Sequence, residues 1–205
     1  MLVAAALSVA ACEAVETNTS SDTENAAQAG GSNESSKDSG NKRKSKSDKK
    51  AKRKLTSAQE NALEAAQSYI EMSGFSKKGL VKQLSSSAGE GFSRKDAKFA
   101  ANHVGANWKA EALESAQSYI DMSGFSKKRL IKQLSSSAGD GFTKAEATYA
   151  ANHVDADWKA EAVESAQSYI DMGGFSEQAL YEQLTSSAGE DFTPAQARYA
   201  VNKVY

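Results

Sequence analysis

The apolar residues in the C-terminal three-quarters of the chain recur three or four positions apart, the spacing of one face of an α-helix. In the first such segment, from about Ser57 to Met72, this face consists of Leu63, Ala66, Tyr69 and Ile70. The segment stops at residues 73–74, where a glycine favours the left-handed conformation of a helix C-terminus. No segment alternates between apolar and polar residues with a period of two, so the pattern predicts no strands.

Two shorter helices follow the first. Ser76 is a suitable N-cap for the second helix, whose buried side is predicted to be Leu80, Val81 and Leu84. The third helix opens with a serine or threonine and carries an acidic residue or glutamine three positions later, which predicts a capping box each time. The three pairs are Ser93 with Asp96, Thr143 with Glu146, and Thr193 with Gln196.

The whole pattern occurs three times at a fixed interval of 50 residues, and the copies align without a gap. Tyr69, Tyr119 and Tyr169 align, for example. A repeat of this length indicates one supersecondary unit that is used several times. We therefore predict an all-α protein of three tandem three-helix repeats, at residues 55–104, 105–154 and 155–205.

Two tryptophans distinguish the later repeats from the first. Trp108 and Trp158 begin the first helices of the second and third repeats, just after the third helix of the preceding repeat ends. The residues before them, Asn107 and Asp157, are predicted to be the N-caps of these helices. The equivalent residue of the first repeat is Ala58, and nothing folded is predicted before it. We interpret the tryptophans as structural residues that wedge the junctions between repeats.

The first 54 residues have a different composition. Residues 1–11 form a short apolar run before Cys12, and Val9-Ala10-Ala11-Cys12 resembles the lipobox of a bacterial lipoprotein. This resemblance implies a signal peptide that is cut before Cys12, the lipid attachment site. No Lys or Arg precedes the apolar run, and eleven residues are few for a signal peptide, which leaves a start upstream of Met1 open.

Residues 12–54 are predicted to be a disordered linker, because they are polar and nearly free of large apolar side chains. Their second half is basic, from Lys42 to Lys54. Three interpretations of this basic run stay open: a nucleic-acid arm, a contact with anionic lipid or wall polymer, or a solvated tether.

The net charge of −1 conceals an acidic third repeat, which has three basic and nine acidic residues. Such a surface attracts a basic partner segment. The candidate partner-binding residues are Glu177, Glu182, Glu190 and Asp191.

Residue types that could carry catalysis are sparse in this chain and are not clustered in sequence. The single cysteine excludes an internal disulfide and a CxxC site. His103 and His153 stand alone at equivalent positions, and the serine clusters have no base nearby in sequence. The carboxylates are interpreted as scattered over exposed helix faces, without an evident dyad. We therefore predict no enzyme activity, no metal site and no cofactor.

The tight joint between the first two helices of each repeat resembles a helix-turn-helix. Lys77-Lys78 and Lys127-Lys128-Arg129 would suit DNA phosphates, but the third repeat has Glu177-Gln178-Ala179 there. Nucleic-acid binding is the less favoured interpretation.

The repeat pattern and the lipobox together resemble the Ltp family, the host cell surface-exposed lipoproteins of Gram-positive bacteria and their prophages. The matching segments are A-x-S-Y-x-x-M-x-G-F-S, x-x-L-x-x-Q-L-S-S, G-x-x-F-[ST]-x-x-x-A-x-[FY]-A and the junction [ND]-W. The resemblance implies tandem helix-turn-helix-like units on a lipid anchor at the extracellular face of the cell membrane. Phage-encoded members are known for superinfection exclusion, in which they block DNA entry and are thought to engage the phage tape-measure protein.

These observations lead to the hypothesis of a lipid-anchored surface protein that binds a partner, such as a tape-measure-type phage protein. The alternative is an envelope protein with a structural or adhesive role, whose basic tether and outer repeats contact wall polymers. The oligomeric state stays open.

Overall fold

The computed structural model describes residues 54–205, which form nine α-helices and no strands. The prediction of an all-α fold with three three-helix repeats is confirmed. Cys12 and the predicted leader and linker, apart from Lys54, lie outside the described residues. None of the helices in residues 54–205 combines the length and the apolar character that a membrane span requires. The helices are α1 Ser57–Met72, α2 Lys77–Ser85, α3 Arg94–His103, α4 Trp108–Met122, α5 Lys127–Ser135, α6 Lys144–His153, α7 Trp158–Met172, α8 Glu177–Thr185 and α9 Pro194–Val204.

Each repeat has its own small core, in which the first and third helices make the most extensive contact. Alanines dominate this core, because their small side chains allow two helices to approach closely. The fully or almost fully buried residues of the first repeat are Ala62, Ala66, Leu80, Leu84, Ala97, Ala100 and Ala101. The predicted face of α1 is therefore shifted: Ala62 is buried, and Leu63 is only partly buried.

The helix N-termini follow the predicted capping residues. Ser76 accepts a hydrogen bond from the N–H of Gly79, and Asn107 accepts one from that of Lys109. The capping boxes of Thr143 and Thr193 are complete.

The capping box predicted for the first α3 is incomplete. Ser93 accepts a hydrogen bond from the N–H of Asp96 at 3.1 Å. The Asp96 carboxylate does not return to the backbone N–H of Ser93 and instead accepts the Ser93 hydroxyl at 2.6 Å. An aspartate side chain is one methylene shorter than that of glutamate, which explains the difference from Glu146.

Candidate binding surfaces at the repeat junctions and the third repeat

Consecutive repeats meet backbone against backbone. Gly74, which follows α1, lies against α4 of the second repeat, where an added Cβ would be 2.8 Å from the backbone N of Ser115. Gly124 lies against α7 in the same way, 2.6 Å from the backbone N of Ser165. A side chain at either position would collide with a neighbouring helix, so both junctions require glycine.

This geometry corrects the predicted reason for the glycine. Gly74 and Gly124 do not have a positive φ, and α1 and α4 end at extended serines. At the joint after the first helix of each repeat, a positive φ occurs only in the third repeat, at Gly173 and Gly174, where an added Cβ would meet nothing within 4 Å. In the first two repeats the glycine serves close packing and not a left-handed turn.

Buried carboxylates complete the junctions. Glu111 accepts the backbone N–H of Phe75 at 3.4 Å, and Glu161 accepts that of Phe125 at 3.2 Å. Both glutamates are buried, and each lies on the first helix of its repeat. The Ser115 hydroxyl also donates to the carbonyl of Gly74 at 2.8 Å. Each pair of repeats is therefore joined by hydrogen bonds to backbone groups that would otherwise lack a partner.

The interpretation of the carboxylates as exposed was wrong for Glu111, Glu161 and Glu190, which are 6–8% exposed. One signal in the sequence points to the first two. The equivalent position of the first repeat is Asn61, and the described chain has no repeat before it for a carboxylate to contact. The glutamate is replaced only in the first repeat, which has no preceding repeat among the described residues, so this position indicates a contact at the junction.

The tryptophans lie at the same junctions. Trp108 packs against the core of the first repeat, and Trp158 packs against the core of the second. Each ring thus covers a core that belongs to the preceding repeat, and the Lys127 ammonium lies 5.8 Å from the centroid of the Trp158 ring.

The second junction has two ion pairs. Lys128 Nζ lies 3.1 Å from Asp191 Oδ1, and Arg129 pairs with Glu190. Glu190 also accepts the hydroxyl of Tyr169 at 2.8 Å. Two of the four candidate partner-binding residues, Glu190 and Asp191, are therefore engaged with the second repeat.

The other two candidates, Glu177 and Glu182, are exposed on α8. Glu177 begins the helix, and Glu182 accepts a hydrogen bond from Gln178 at 2.6 Å. At the equivalent end of the second repeat the chain has Lys127-Lys128-Arg129, which reach the next repeat. At this end of the third repeat the Tyr205 hydroxyl donates to the carbonyl of Phe175. Within residues 54–205, neither Glu177 nor Glu182 takes part in an ion pair.

The first junction has no ion pair among the described residues, and it leaves a carboxylate incompletely satisfied. Asp140 occupies the position of Glu190. Its Oδ1 accepts the hydroxyl of Tyr119 at 3.0 Å, whereas its Oδ2 is buried and has no hydrogen-bond partner. In the second junction Arg129 pairs with the equivalent carboxylate. The residue at the position of Arg129 in the first junction is Gly79, which has no side chain to pair with Asp140.

The junction carboxyls share one electrostatic property. Burial raises the pKa of Glu111, Glu161 and Asp140 above the ordinary values, and hydrogen bonds from Phe75, Phe125 and Tyr119, respectively, oppose this rise. Nearby carboxylates, Glu164 first among them, raise the pKa of Glu161 further.

These shifts predict the direction of a pH effect. Between the ordinary and the raised pKa of each group, the folded state binds more protons than the unfolded state, so the free energy of unfolding falls as pH rises through that window. The contribution of these three groups should therefore increase when pH is lowered from 7 toward their ordinary pKa values. Urea unfolding at pH 7 and at a pH near these ordinary values should show this increase in the parent protein. The variant Glu111→Gln/Glu161→Gln/Asp140→Asn should lack it. An identical pH dependence of both proteins would contradict the prediction.

The histidines occupy helix ends. Nδ1 of His103 and of His153 lies 2.7 Å from the carbonyl O of Phe99 and of Tyr149, respectively, and each ring stacks on the aromatic ring of that residue. No group of three or more His, Cys, Asp or Glu side chains within residues 54–205 is arranged to hold a metal ion.

Comparison with known proteins adds two findings. A family model described as host cell surface-exposed lipoprotein matches residues 57–104, 107–154 and 157–204. Among solved structures, the chain is similar to Ltp, a superinfection exclusion protein from the Streptococcus thermophilus temperate phage TP-J34, with 28% sequence identity and a TM-score of 0.46. That match covers 50% of this chain and 100% of the other. The search of curated proteins finds no match.

Proposed function

The chain belongs to the family of host cell surface-exposed lipoproteins, and on this premise we propose that it is a lipid-anchored binding protein that acts in superinfection exclusion. The observation that carries the proposal is the match of the family model to each of the three repeats, which together form the described part of the chain. The attachment site is Cys12, and residues 13–54 are the linker to the repeats.

The proposed mode of action is docking to a protein of an incoming phage, which blocks entry of its DNA. The acidic end of α8 is the proposed contact surface. Glu177 and Glu182 are exposed there, whereas Glu190 and Asp191 pair with basic residues of the second repeat. The partner segment should be basic, since opposite charges on two surfaces favour encounter and fix orientation.

We expect cells that express the full chain to give fewer plaques with a sensitive phage and to block injection of its DNA. Glu177→Lys/Glu182→Lys should restore plating, because the reversed charge repels a basic segment. The matched control is Glu64→Lys/Glu114→Lys, which makes the same charge change at exposed positions of the first two repeats. Cys12→Ser should also restore plating, because the protein then lacks its anchor.

Plaque counts and DNA injection should be measured across a broad phage panel, together with the amount of protein at the cell surface. Unchanged plating of every phage on cells that display the protein would contradict the exclusion role and favour the envelope alternative. If both charge-reversal variants restore plating equally, exclusion stands but the α8 surface is not the contact.

A further inference from the structure

A groove with a volume of 630 Å³ lies between the first and second repeats. Val81, at the edge of the first core, contributes apolar surface to its lining, and Phe142 of the second core lies behind this surface and is only 3% exposed. Its volume is in the range of ligand-binding sites. The groove also has five exposed basic side chains, all from α2 and α3 of the first repeat: Lys77, Lys78, Lys82, Arg94 and Lys98.

The positive charge of this groove is not neutralised. Glu146 is the one acidic residue in the lining, and its carboxylate accepts the backbone N–H of Thr143 at 2.8 Å as part of a capping box. The ion pairs within residues 54–205 involve Lys128 and Arg129 and none of the five basic side chains of the groove. Five basic residues against one acidic residue leave the lining with a net charge of +4.

Comparison of the two junctions explains why the charge is free here. In the second junction, Asp191 pairs with Lys128. The equivalent residues of the first junction are Gly141 and Lys78, and a Cβ on Gly141 would lie 3.3 Å from Cδ of Lys78. Lys78 therefore lies beside the position that Asp191 occupies in the second junction, but Gly141 has no carboxylate to pair with it.

We propose that this groove binds an acidic, amphipathic segment of a protein partner. Carboxylates of the segment contact the basic rim, and an apolar side chain packs on Val81 and the aliphatic stems of the lysines. A phosphate polymer would engage the rim but gain nothing from the apolar surface, so the lining favours a peptide. This proposal is independent of the acidic α8 surface, which requires a partner segment of the opposite charge.

The chain itself provides a variant that should close the groove. Gly141 has a φ of +74°, a conformation that few residues other than glycine adopt, but Asp191 has a φ of +54° at the equivalent position. Gly141→Asp should therefore fold and place a carboxylate beside Lys78, as Asp191 does beside Lys128. A second variant, Lys78→Glu/Lys98→Glu, reverses two charges of the rim. Lys95→Glu is the control, since Lys95 is exposed on α3 but does not line the groove.

The test measures binding of the full chain with Cys12→Ser to a labelled peptide of repeated Glu-Glu-Leu units, at low and moderate salt. The matched probe replaces each leucine by serine, and a third probe is inorganic polyphosphate. We expect the leucine peptide to bind about tenfold more tightly than the serine peptide, since the apolar contact is lost in the latter. Gly141→Asp and the rim variant should each weaken binding of the leucine peptide about tenfold, and Lys95→Glu should leave it unchanged.

Thermal unfolding of each variant shows that it is folded. Equal binding of the leucine and serine peptides, with tighter binding of polyphosphate, would assign the groove to a phosphate polymer and overturn the proposal. An unchanged affinity in both Gly141→Asp and the rim variant would show that the peptide binds elsewhere, and it would overturn the proposal as well.

Discussion

Gly124→Ala should separate the second and third repeats and lower the free energy of unfolding by about 2–3 kcal/mol, the cost of overpacking a tight interior contact. A methyl group at this position would lie 2.6 Å from the backbone N of Ser165 and closer still to the carbonyl of Glu161. Both atoms belong to the backbone of α7, so no rotation of a side chain relieves the collision. The repeats must move apart, which also removes the hydrogen bond from Phe125 N–H to Glu161.

Urea unfolding and tryptophan emission measure this effect. In a Trp108→Phe background, the emission of Trp158 should shift to longer wavelength in Gly124→Ala, because the ring loses its packing against the second core. Gly174→Ala is the matched control at the same position of the third repeat. It has nothing within 4 Å of the added methyl and a φ of +85°, so it should cost about 1–2 kcal/mol of backbone strain without changing the emission. Emission and stability equal to those of the parent protein in Gly124→Ala would show that the junction does not require glycine.

Glu190→Ala should lower the free energy of unfolding by about 2–3 kcal/mol, whereas Glu90→Ala should lower it by about 1 kcal/mol or less. The two glutamates are equivalent, and each accepts the hydroxyl of a tyrosine at 2.8 Å. Only Glu190 is buried and also paired with Arg129. The loss stays below that of a fully buried pair because the Arg129 side chain is 43% exposed and reaches water when its partner is removed.

A double-mutant cycle with Arg129→Ala isolates the contribution of the pair. The coupling energy between Glu190→Ala and Arg129→Ala should be favourable to folding, and no coupling should appear between Glu90→Ala and Arg129→Ala. Equal losses in Glu190→Ala and Glu90→Ala would mean that the ion pair contributes nothing and that the tyrosine hydrogen bond accounts for both.

Local sequence features predicted the helices well. The N-caps at Ser76, Asn107 and Asp157 and the boxes at Thr143 and Thr193 depend on residues no more than three positions apart, and such contacts can be read from sequence. The first α3 is the exception, because the box there depended on whether a shorter carboxylate reaches the backbone.

The core was predicted less well. The spacing of the apolar residues selected the correct side of α1 but favoured the large Leu63 over Ala62, which is fully buried. Whether a large or a small residue is buried depends on the distance between the helices, and the spacing of apolar residues does not give that distance. The alanines of α1 and α3 allow a close approach that leaves no room for leucine between these two helices, and the buried leucines of this core come from α2.

The candidate partner-binding residues were also selected without knowledge of the contacts between repeats. Charge counting grouped Glu177, Glu182, Glu190 and Asp191, since all four lie in the acidic third repeat. The structure divides them, because Arg129 and Lys128 of the preceding repeat reach the last two. A pairing across 61 or 63 residues leaves no local pattern in the sequence.

The sequence by itself determined the helical class, the three repeats and most helix ends, because these follow from contacts within a few residues and from a periodicity that survives without a gap. Only the tertiary structure decided which glutamates are buried, why Gly74 and Gly124 are glycines, and where the basic groove lies. These properties arise where one repeat meets the next, and the same motif has a different environment on each side of a junction. Repetition therefore predicts the unit, whereas the contacts between units determine the surfaces that remain for a partner.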